Sequence, residues 1–585
     1  MADSWWAEGE VGICIYGLPW IAGPAPRQVS AEELLQSYLE RGVEAFTTLD
    51  GGFVIVVADF RSDTFLVMND RMATHPVHYF AGKGVFAVAP EAKAILAMLG
   101  RVPELDTHGC LTFLEKGHAL GERTLFNDVR LLPPAQLLRV DLASGEVRRE
   151  TYWDLRFGPA AKTTRRAAAD NLHDILGASH AAVLLDSPAE STLLLTGGFD
   201  SRVMLGGFRL AGQLPARALT WGVSAEIPFS DPQVAAGLAS GAGLEWEFRG
   251  YGEESFPERA EAWARVGELG SDNLGVFAAG PDFLAPEGAP IGPVFIGDQF
   301  FGYGGQPLSM EDAVIDATGI RLGALAPAVT RIMNVDRVAE ASAAVHEDLA
   351  GVIARCPNDT PKGLKDFLSY QVGLARWLNA PTFFREPMVS TRRPLLGIPA
   401  LELFLTLPEH LRVDKAVLVD MLRRHFPDLA AVPRATANSL IDWGHAFTHP
   451  GPCRDYLEGL LNDDLIEALP IHSFLDMDRV RADSAAFLNS RRTEVSRAPD
   501  RKSLITSLRR VTSRVPGLAR WLRRAEHRLQ RMRGVDHGPK IDRVLIRLAL
   551  LVMLQRVVSR GELSLTSAAP VGGEGLPPVQ WRREG

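Results

Sequence analysis

One segment of the sequence combines residue types suited to binding an anion together with a metal ion. Leu193–Leu195 is a short apolar run, Thr196–Gly198 adds two glycines, and Asp200 and Ser201 follow. This pattern predicts a strand buried on both faces that turns into a helix. The N-terminus of a helix favours phosphate, and Mg²⁺ binds one or two carboxylates together with phosphate oxygens. The same residues also fit an ordinary strand and helix in which Asp200 and Ser201 only cap the helix.

The elements around this segment alternate between strand and helix. Arg217–Trp221 and Glu245–Phe248 have the pattern of strands, and Pro232–Ser240 has that of a helix between them. Such alternation is typical of a doubly wound parallel sheet covered by helices. Upstream, short β-type runs such as Val11–Gly17 and Gly52–Ala58 predict an antiparallel sheet. We therefore expect a two-domain chain of the α+β and α/β classes.

Three blocks of the sequence resemble known families. Thr196–Ser201 resembles the SGGxDS pyrophosphate loop of ATP pyrophosphatases, with threonine in place of the serine. Phe295–Tyr303 is similar to the asparagine synthetase segment that ends in Gly-x-Asp-Glu-Leu-Phe-Gly-Gly-Tyr, and Ser390–Leu396 resembles the Arg-x-Pro-Phe-Leu segment of that family. Lys415 precedes Phe426–Pro427 by the family's interval between a catalytic lysine and a Leu-Pro pair.

The resemblance to the asparagine synthetase family implies roles for individual residues. Lys415 is implied as the catalytic residue, because its ammonium would stabilise negative charge on the α-phosphate and on the tetrahedral intermediate. Asp200 and Asp298 are implied as the two Mg²⁺ carboxylates. ATP and pyrophosphate are expected to contact Leu194, Thr196, Gly197, Gly198, Asp200, Ser201, Trp221 and Gly297.

The N-terminal region resembles the Ntn-type class II glutamine amidotransferase domain of the same family, which implies an antiparallel β-sandwich with helices. The blocks that carry this resemblance are Leu49–Phe53, Asn69–Arg71, Pro76–Tyr79, Pro90–Leu96 and Thr124–Phe126. Glutamine hydrolysis in this class needs an N-terminal cysteine whose α-amine acts as base. This chain has Ala2 at that position, and Cys14 would become N-terminal only after cleavage of thirteen residues. We expect a domain without glutaminase activity and without an ammonia tunnel.

A second departure from the family concerns the general base. Asparagine synthetase has a glutamate three residues before its metal-binding aspartate, and β-lactam synthetase uses a tyrosine and a glutamate to deprotonate the amine. Phe295 stands at that position here. The sequence therefore identifies no general base.

Composition excludes several classes of protein. The 585 residues are 46% hydrophobic and 23% charged, as in ordinary globular proteins. The four cysteines show no CxxC spacing, so neither a disulfide framework nor a zinc site is expected, and a reduced cytoplasm fits best. The N-terminus does not resemble a signal peptide, and no apolar run is long enough to span a membrane.

The charge of the chain is unevenly distributed. Residues 491–560 contain 19 Lys and Arg against 5 Asp and Glu, a charge of +14, so the rest of the chain carries −9 − 14 = −23. Such a block can favour nucleic acid, an acidic peptide or a membrane surface, but no RNA-binding signature accompanies it. We interpret it as a solvated helical extension that ends in a frayed tail, and we expect no nucleic acid partner.

Together these patterns predict an amidotransferase-like domain over residues 1–160, an ATP-pyrophosphatase domain over 161–490 and a basic helical extension over 491–585. The function implied is an ATP- and Mg²⁺-dependent ligase that adenylates a peptide or small-molecule carboxylate and joins it to an amine. A lasso-peptide macrolactam cyclase, with a precursor peptide and a processing protease as partners, is the specific form. An asparagine synthetase-like enzyme that uses ammonia or another amine, and a non-catalytic nucleotide-binding scaffold, are the alternatives.

Overall fold

A computed structural model describes residues 5–22, 26–82, 84–184, 191–274, 293–297, 304–380, 391–437, 439–492 and 539–564 of the chain. Its strands are β1 (Trp5–Glu8), β2 (Val11–Ile21), β3 (Arg27–Gln28), β4 (Leu49–Asp59), β5 (Thr64–Asn69), β6 (His78–Gly82), β7 (Val85–Ala89), β8 (Arg130–Leu131), β9 (Gln136–Asp141), β10 (Val147–Thr151), β11 (Thr192–Leu194), β12 (Arg217–Gly222), β13 (Trp246–Gly250), β14 (Val294–Phe295) and β15 (Thr391–Arg392).

Helices occur in most of the described ranges. They are α1 (Ala31–Arg41), α2 (Glu44–Thr47), α3 (Ala92–Met98), α4 (Thr107–Lys116), α5 (Arg165–Val183), α6 (Phe199–Leu210), α7 (Asp231–Ala242), α8 (Phe256–Gly267), α9 (Met310–Thr318), α10 (Pro327–Arg331), α11 (Val338–Ala354), α12 (Pro361–Leu368), which continues as a π-helix over Ser369–Leu378, α13 (Ile398–Thr406), α14 (Ala416–His425), α15 (Pro427–Ala431), α16 (Trp443–Ala446), α17 (Pro452–Leu460), α18 (Asp463–Glu467), α19 (Met477–Leu488) and α20 (Ile541–Ser559). Single 3₁₀ turns lie at Glu253–Ser255, Val335–Arg337, Pro394–Leu396, Glu409–Leu411 and His472–Phe474.

The N-terminal part of the chain forms an antiparallel sheet of seven strands. The strand order is β1-β2-β4-β5-β9-β10, with β3 paired to β2, and a second sheet has the order β7-β6-β8. Side chains of β2 alternate, so that Val11, Ile13 and Ile15 are buried against α1. Ser30 caps α1 in a capping box with Glu33, which fixes where that helix begins. The prediction of an antiparallel sheet in this region is confirmed.

The middle of the chain forms a parallel sheet with the order β13-β12-β11-β14-β15. All four ladders between these strands are parallel. Leu193 and Leu195 pack into the large core, whereas Leu194 packs into a separate small cluster, so β11 is buried on both faces as its apolar run predicts. The mixed α/β architecture expected from the sequence is therefore present.

Helix α20 differs from the expectation for the basic segment. The helix is buried around most of its circumference, including every residue from Val544 to Leu554. Arg547 donates to Asp272 and to the carbonyl oxygens of Leu114 and Glu115 at the end of α4. The interpretation of the segment as a solvated extension is thus wrong for this helix, because its apolar residues belong to the core. Residues 493–538 lie outside the described residues, and so do residues 565–585 of the expected frayed tail, which covers the last 25 residues.

Two further features of the described residues are the state of the cysteines and the apolar character of the helices. The thiols of Cys14, Cys110, Cys356 and Cys453 are all free. Within the described ranges, no helix has both the length and the apolar character that crossing a bilayer requires.

Candidate functional site

The parallel sheet brings three chain segments to one edge. Carboxyl ends of parallel strands share an edge, and ligands commonly bind there. β11 leads into Thr196, β14 leads into Gly297, and β12 ends at Gly222. The first turn of α6 begins at this edge, with Gly198 as its N-cap and no side chain capping it. The candidate site is therefore centred on the N-terminus of α6.

The Ser201 hydroxyl holds the loop before α6 in shape. It accepts the N–H of Thr196 at 3.1 Å and donates to the carbonyl oxygen of Thr196 at 2.9 Å. The Thr196 hydroxyl lies 3.1 Å from that of Ser201 and accepts the N–H of Gly198 at 3.2 Å. Thr196 stands where the pyrophosphate loop has serine, and its hydroxyl, which serine would also provide, makes hydrogen-bond contacts within the loop.

Gly197 is required for close packing. A Cβ at this position would lie 2.5 Å from the Cβ of Ala435, which is too close, and 3.0 Å from Oδ1 of Asp231, which is tight. The N–H of Gly197 donates to Asp231 at 2.8 Å. Burial raises the pKa of Asp231, while this hydrogen bond and the charge of Arg434 act in the opposite direction. Gly198 differs, because a Cβ there would meet only the Thr196 hydroxyl, at 3.3 Å.

Lys415 reaches Asp200 from a distant part of the chain. Its ammonium donates to Oδ2 of Asp200, and the two side chains are only 18% and 20% exposed. The backbone of Lys415 is left-handed, with φ of 53°, as is that of Asp414, with φ of 50°. Non-glycine residues rarely adopt this conformation, which is often found at functional sites. Lys415 is also the N-cap of α14, so the start of this helix fixes the position of its backbone.

Gly297 lies directly against the first turn of α6. A Cβ at Gly297 would lie 2.7 Å from the carbonyl carbon of Asp200 and 2.8 Å from the amide nitrogen of Ser201. Only glycine allows this approach of two backbones. Asp298, expected to be the second metal carboxylate, lies outside the described residues.

Leu194 and Trp221 lie in a small apolar cluster on the sheet face opposite the large core. Leu219, Val294 and Ile296 complete the cluster. Trp221 is partly buried at the carboxyl end of β12. The cluster therefore gives the sheet an apolar surface beside the loop of α6.

Phe295 points to the other face of the sheet. It is fully buried and packs edge-to-face against Phe208, with ring centroids 4.6 Å apart, and also contacts His180. Phe295 is thus a core residue beneath α6, and the described residues leave the general base unidentified.

Two arginines near the loop are not among the residues predicted from the sequence. Arg202 is fully buried and donates to the carbonyl oxygens of Gly197, Leu429, Val432 and Pro433. Burial, and secondarily the charge of Arg434, lowers the pKa of Arg202 to about 10. Arg434 is exposed, and its guanidinium carbon lies 4.7 Å from the ring centroid of Phe199. No local pattern reveals these roles, because apart from the bond of Arg202 to Gly197 the contacts join segments more than two hundred residues apart.

A buried charged cluster supports the segment that carries Lys415. Asp366 accepts from Lys362 and, at 2.9 Å, from Arg412. The guanidinium carbon of Arg412 lies 3.4 Å from the ring centroid of Phe157. Since buried charges are stable only when paired, this cluster fixes the turn that precedes Asp414 and Lys415.

The residues at the α6 loop fit Mg²⁺ and a phosphate chain in their chemistry. Asp200 supplies a carboxylate oxygen, and the uncapped first turn of α6 carries the positive end of the helix dipole. No group of three or more His, Cys, Asp or Glu side chains suited to a metal occurs in the described part of the chain. Mg²⁺ does not need such a group, since it binds one or two carboxylates and completes its shell with phosphate and water.

Cys14 lies in the middle of a strand. It pairs with Trp5 of β1 on one side and Val56 of β4 on the other. Burial raises the pKa of its thiol, whereas a nucleophilic cysteine needs a lowered pKa. Within the intact chain, its backbone nitrogen belongs to a peptide bond and cannot act as a base.

Comparison with known proteins identifies the N-terminal domain type. A family described as glutamine amidotransferase domain matches residues 27–153. The prediction that this region is amidotransferase-like is therefore confirmed. The matched range covers less than half of the chain.

One solved structure, titled as that of the allosteric regulatory enzyme of purine biosynthesis, is similar over 41% of this chain and 61% of that chain, at 10% sequence identity and a TM-score of 0.17. The chain spans less than two thirds of that protein. No curated protein matches the sequence.

Proposed function

We propose that the chain is an ATP-dependent amide ligase that releases AMP and pyrophosphate. The observation that carries this proposal is the meeting of Lys415 and Asp200 at the uncapped N-terminus of α6, with Gly297 packed against the same turn. A carboxylate, an ammonium and a helix N-terminus at one sheet edge suit the binding of a nucleotide together with its metal.

Each part of the site has a role in this proposal. The loop from Thr196 to Ser201 holds the phosphates of ATP, and Leu194 and Trp221 form an apolar surface beside it. Asp200 and Asp298 hold Mg²⁺, which would neutralise phosphate charge. Lys415 stabilises the charge that develops when a substrate carboxylate attacks the α-phosphate. Positioning and charge neutralisation provide most of the catalysis in such reactions.

The amine is proposed to come from a substrate and not from glutamine. Cys14 lies within a strand of the intact chain, so no N-terminal thiol is available there for glutamine hydrolysis. An amine and a carboxylate in one molecule gain effective concentration, which favours ring closure. We therefore propose macrolactam formation in a lasso-peptide precursor, in the cytoplasm, with a processing protease as a further partner.

The test is product analysis with the purified full chain. ATP, Mg²⁺ and a peptide with a free N-terminal amine and an Asp or Glu side chain should give AMP, pyrophosphate and a peptide 18 Da lighter, the mass of one water. Asp200→Ala should abolish all three products. Release of ADP and orthophosphate would reject the proposal.

The amidotransferase match favours a second candidate, an asparagine synthetase-like enzyme that uses ammonia or another amine. Incubation with aspartate, ATP and ammonium, followed by amino-acid analysis, separates the two, because only the second candidate forms asparagine. A third candidate, a nucleotide-binding scaffold, is suggested by the loop itself, where the N–H groups of Gly197 and Gly198 already have protein acceptors. The scaffold would bind ATP without forming AMP with any substrate.

A further inference from the structure

A second cavity lies away from the α6 loop. It has a volume of about 400 Å³, within the range of small-molecule sites. One wall comes from the amidotransferase-like part of the chain, including His78, Ala94 and Phe126. The other comes from Val266–Gly270 and from Arg376 in the π-helix. Most of the lining is apolar, so the few polar groups in it decide what can bind.

Arg376 supplies a guanidinium cation, only one nitrogen of which donates hydrogen bonds within the described ranges. Its Nη2 donates to the carbonyl oxygens of Gly121 and Arg123. In the described ranges, Nε and Nη1 have no hydrogen-bond partner and no carboxylate forms an ion pair with this guanidinium. Asp348 lies near it but is paired with Arg123 at 2.7 Å. Burial lowers the pKa of Arg376 to about 10, the charge of Asp348 acts in the opposite direction, and that of Arg355 lowers it further. A guanidinium that keeps unpaired N–H donors favours binding of a carboxylate.

His78 supplies an acceptor beside that cation. Its Nδ1 lies 2.9 Å from the carbonyl oxygen of Pro90, so Nδ1 is the donor, and in the neutral ring Nε2 is then the acceptor. Burial lowers the pKa of His78, and the charges of Arg376 and Lys93 act in the same direction against that of Glu268. A lowered pKa favours the neutral imidazole, whose Nε2 can accept a hydrogen bond.

The opposite wall is held rigidly in a strained conformation. Glu268 and Leu269 are both left-handed, with φ of 54° and 52°. The Glu268 carboxylate accepts the N–H groups of Ala92 and Lys93 at the start of α3, and Lys93 donates to the Val266 carbonyl at 2.7 Å. Such strain persists only where the surroundings fix it, and it is common at binding sites.

We propose that this cavity binds a small carboxylate that has an apolar body and an N–H group. The carboxylate pairs with Arg376, and the N–H group donates a hydrogen bond to Nε2 of His78. The amidotransferase-like domain then serves as one wall of a binding site. This site is separate from the proposed ATP reaction, because none of its residues belongs to the α6 loop.

The proposal is tested by calorimetric titration of the full chain, without ATP, with N-acetyl-L-phenylalanine and with its neutral amide. The acid should bind about tenfold or more tightly than the amide, as expected for a charge-assisted hydrogen bond. Ala94→Phe fills the cavity and should abolish binding of the acid, whereas Ala97→Phe, on the same helix but not in the cavity lining, should retain it. Arg376→Gln should remove the preference for the acid over the amide.

Absence of binding to the wild-type chain, equal affinity for acid and amide, or unchanged binding in Ala94→Phe would each overturn the proposal. Because Arg376→Gln also removes donors to two backbone carbonyls, circular dichroism must show that it folds. Should it not fold, Ala94→Phe with its Ala97→Phe control still decides the outcome.

Discussion

The ammonium of Lys415 donates to the carboxylate of Asp200 across 215 positions of the sequence. This ion pair joins the N-terminus of α14 to the first turn of α6. The left-handed backbone at Lys415 costs conformational energy, and the surrounding charged cluster holds it in place. The pair therefore sets the spacing between a cation and the helix N-terminus that is proposed to bind phosphate.

Replacing Lys415 should affect chemistry far more than folding. We expect Lys415→Met to reduce pyrophosphate release roughly 100-fold or more, because a preorganised charge is lost at the reacting phosphate. The melting temperature should change little. Lys162→Met, at an exposed position, is the matched control and should keep full activity. Equal activity of both variants would exclude a role of Lys415 in catalysis.

Gly297 provides a steric test of the same site. In Gly297→Ala the new Cβ would lie 2.7 Å from the Asp200 carbonyl carbon, so the first turn of α6 must move. We expect most of the activity to be lost. Gly237→Ala, in the middle of α7 with no atom within 4 Å of the new Cβ, should stabilise the protein by about 0.4–1 kcal/mol. Pyrophosphate assays and thermal melts of both variants check this, and full activity of Gly297→Ala would contradict it.

Arg202 should contribute to stability through the loop. Arg202→Met leaves several buried carbonyl oxygens without donors, so the free energy of unfolding should fall by about 3 kcal/mol. The exposed pair of Arg209 with Asp428 offers a control, since Arg209→Met should cost less than about 1 kcal/mol. Urea denaturation of both variants measures the difference. A smaller loss for Arg202→Met than for Arg209→Met would refute this role.

The raised pKa of Asp231 should make the stability of the protein depend on pH. Its pKa is raised in the folded chain by burial, so the folded state keeps the proton as the pH rises past about 4, where the unfolded chain releases it. The contribution of Asp231 to stability is therefore present below pH of about 4 and is lost as the pH rises toward the folded pKa. Asp231→Asn keeps a side-chain oxygen that can accept from the N–H of Gly197. Because asparagine does not titrate, the variant should not lose this stability as the pH rises.

We expect Asp231→Asn to be more stable than the wild type at pH 7, with the advantage vanishing near pH 4. Urea denaturation of both chains across that interval checks the sign. An advantage independent of pH would show that titration of Asp231 is not its cause.

Local pattern in the sequence identified some elements and missed others for physical reasons. The apolar run ending at Leu195 and the glycines after it indicate a buried strand and a turn, because burial on both faces and close approach leave a signature in neighbouring residues. The contacts of Arg202 and the apposition of Ala435 to Gly197 leave no local signature, because they join distant segments. The basic character of residues 491–560 also masked the apolar content of α20, which tertiary packing buries.

The central claim is that Asp200 and Lys415 belong to an ATP site, and calorimetric titration with ATP and Mg²⁺ tests it most directly. We predict that the wild-type chain binds ATP only when Mg²⁺ is present, and that Asp200→Asn weakens this binding by about tenfold or more, because a metal-binding charge is removed. A wild-type chain that binds no ATP, or an Asp200→Asn variant that binds it as tightly as the wild type, would contradict the account.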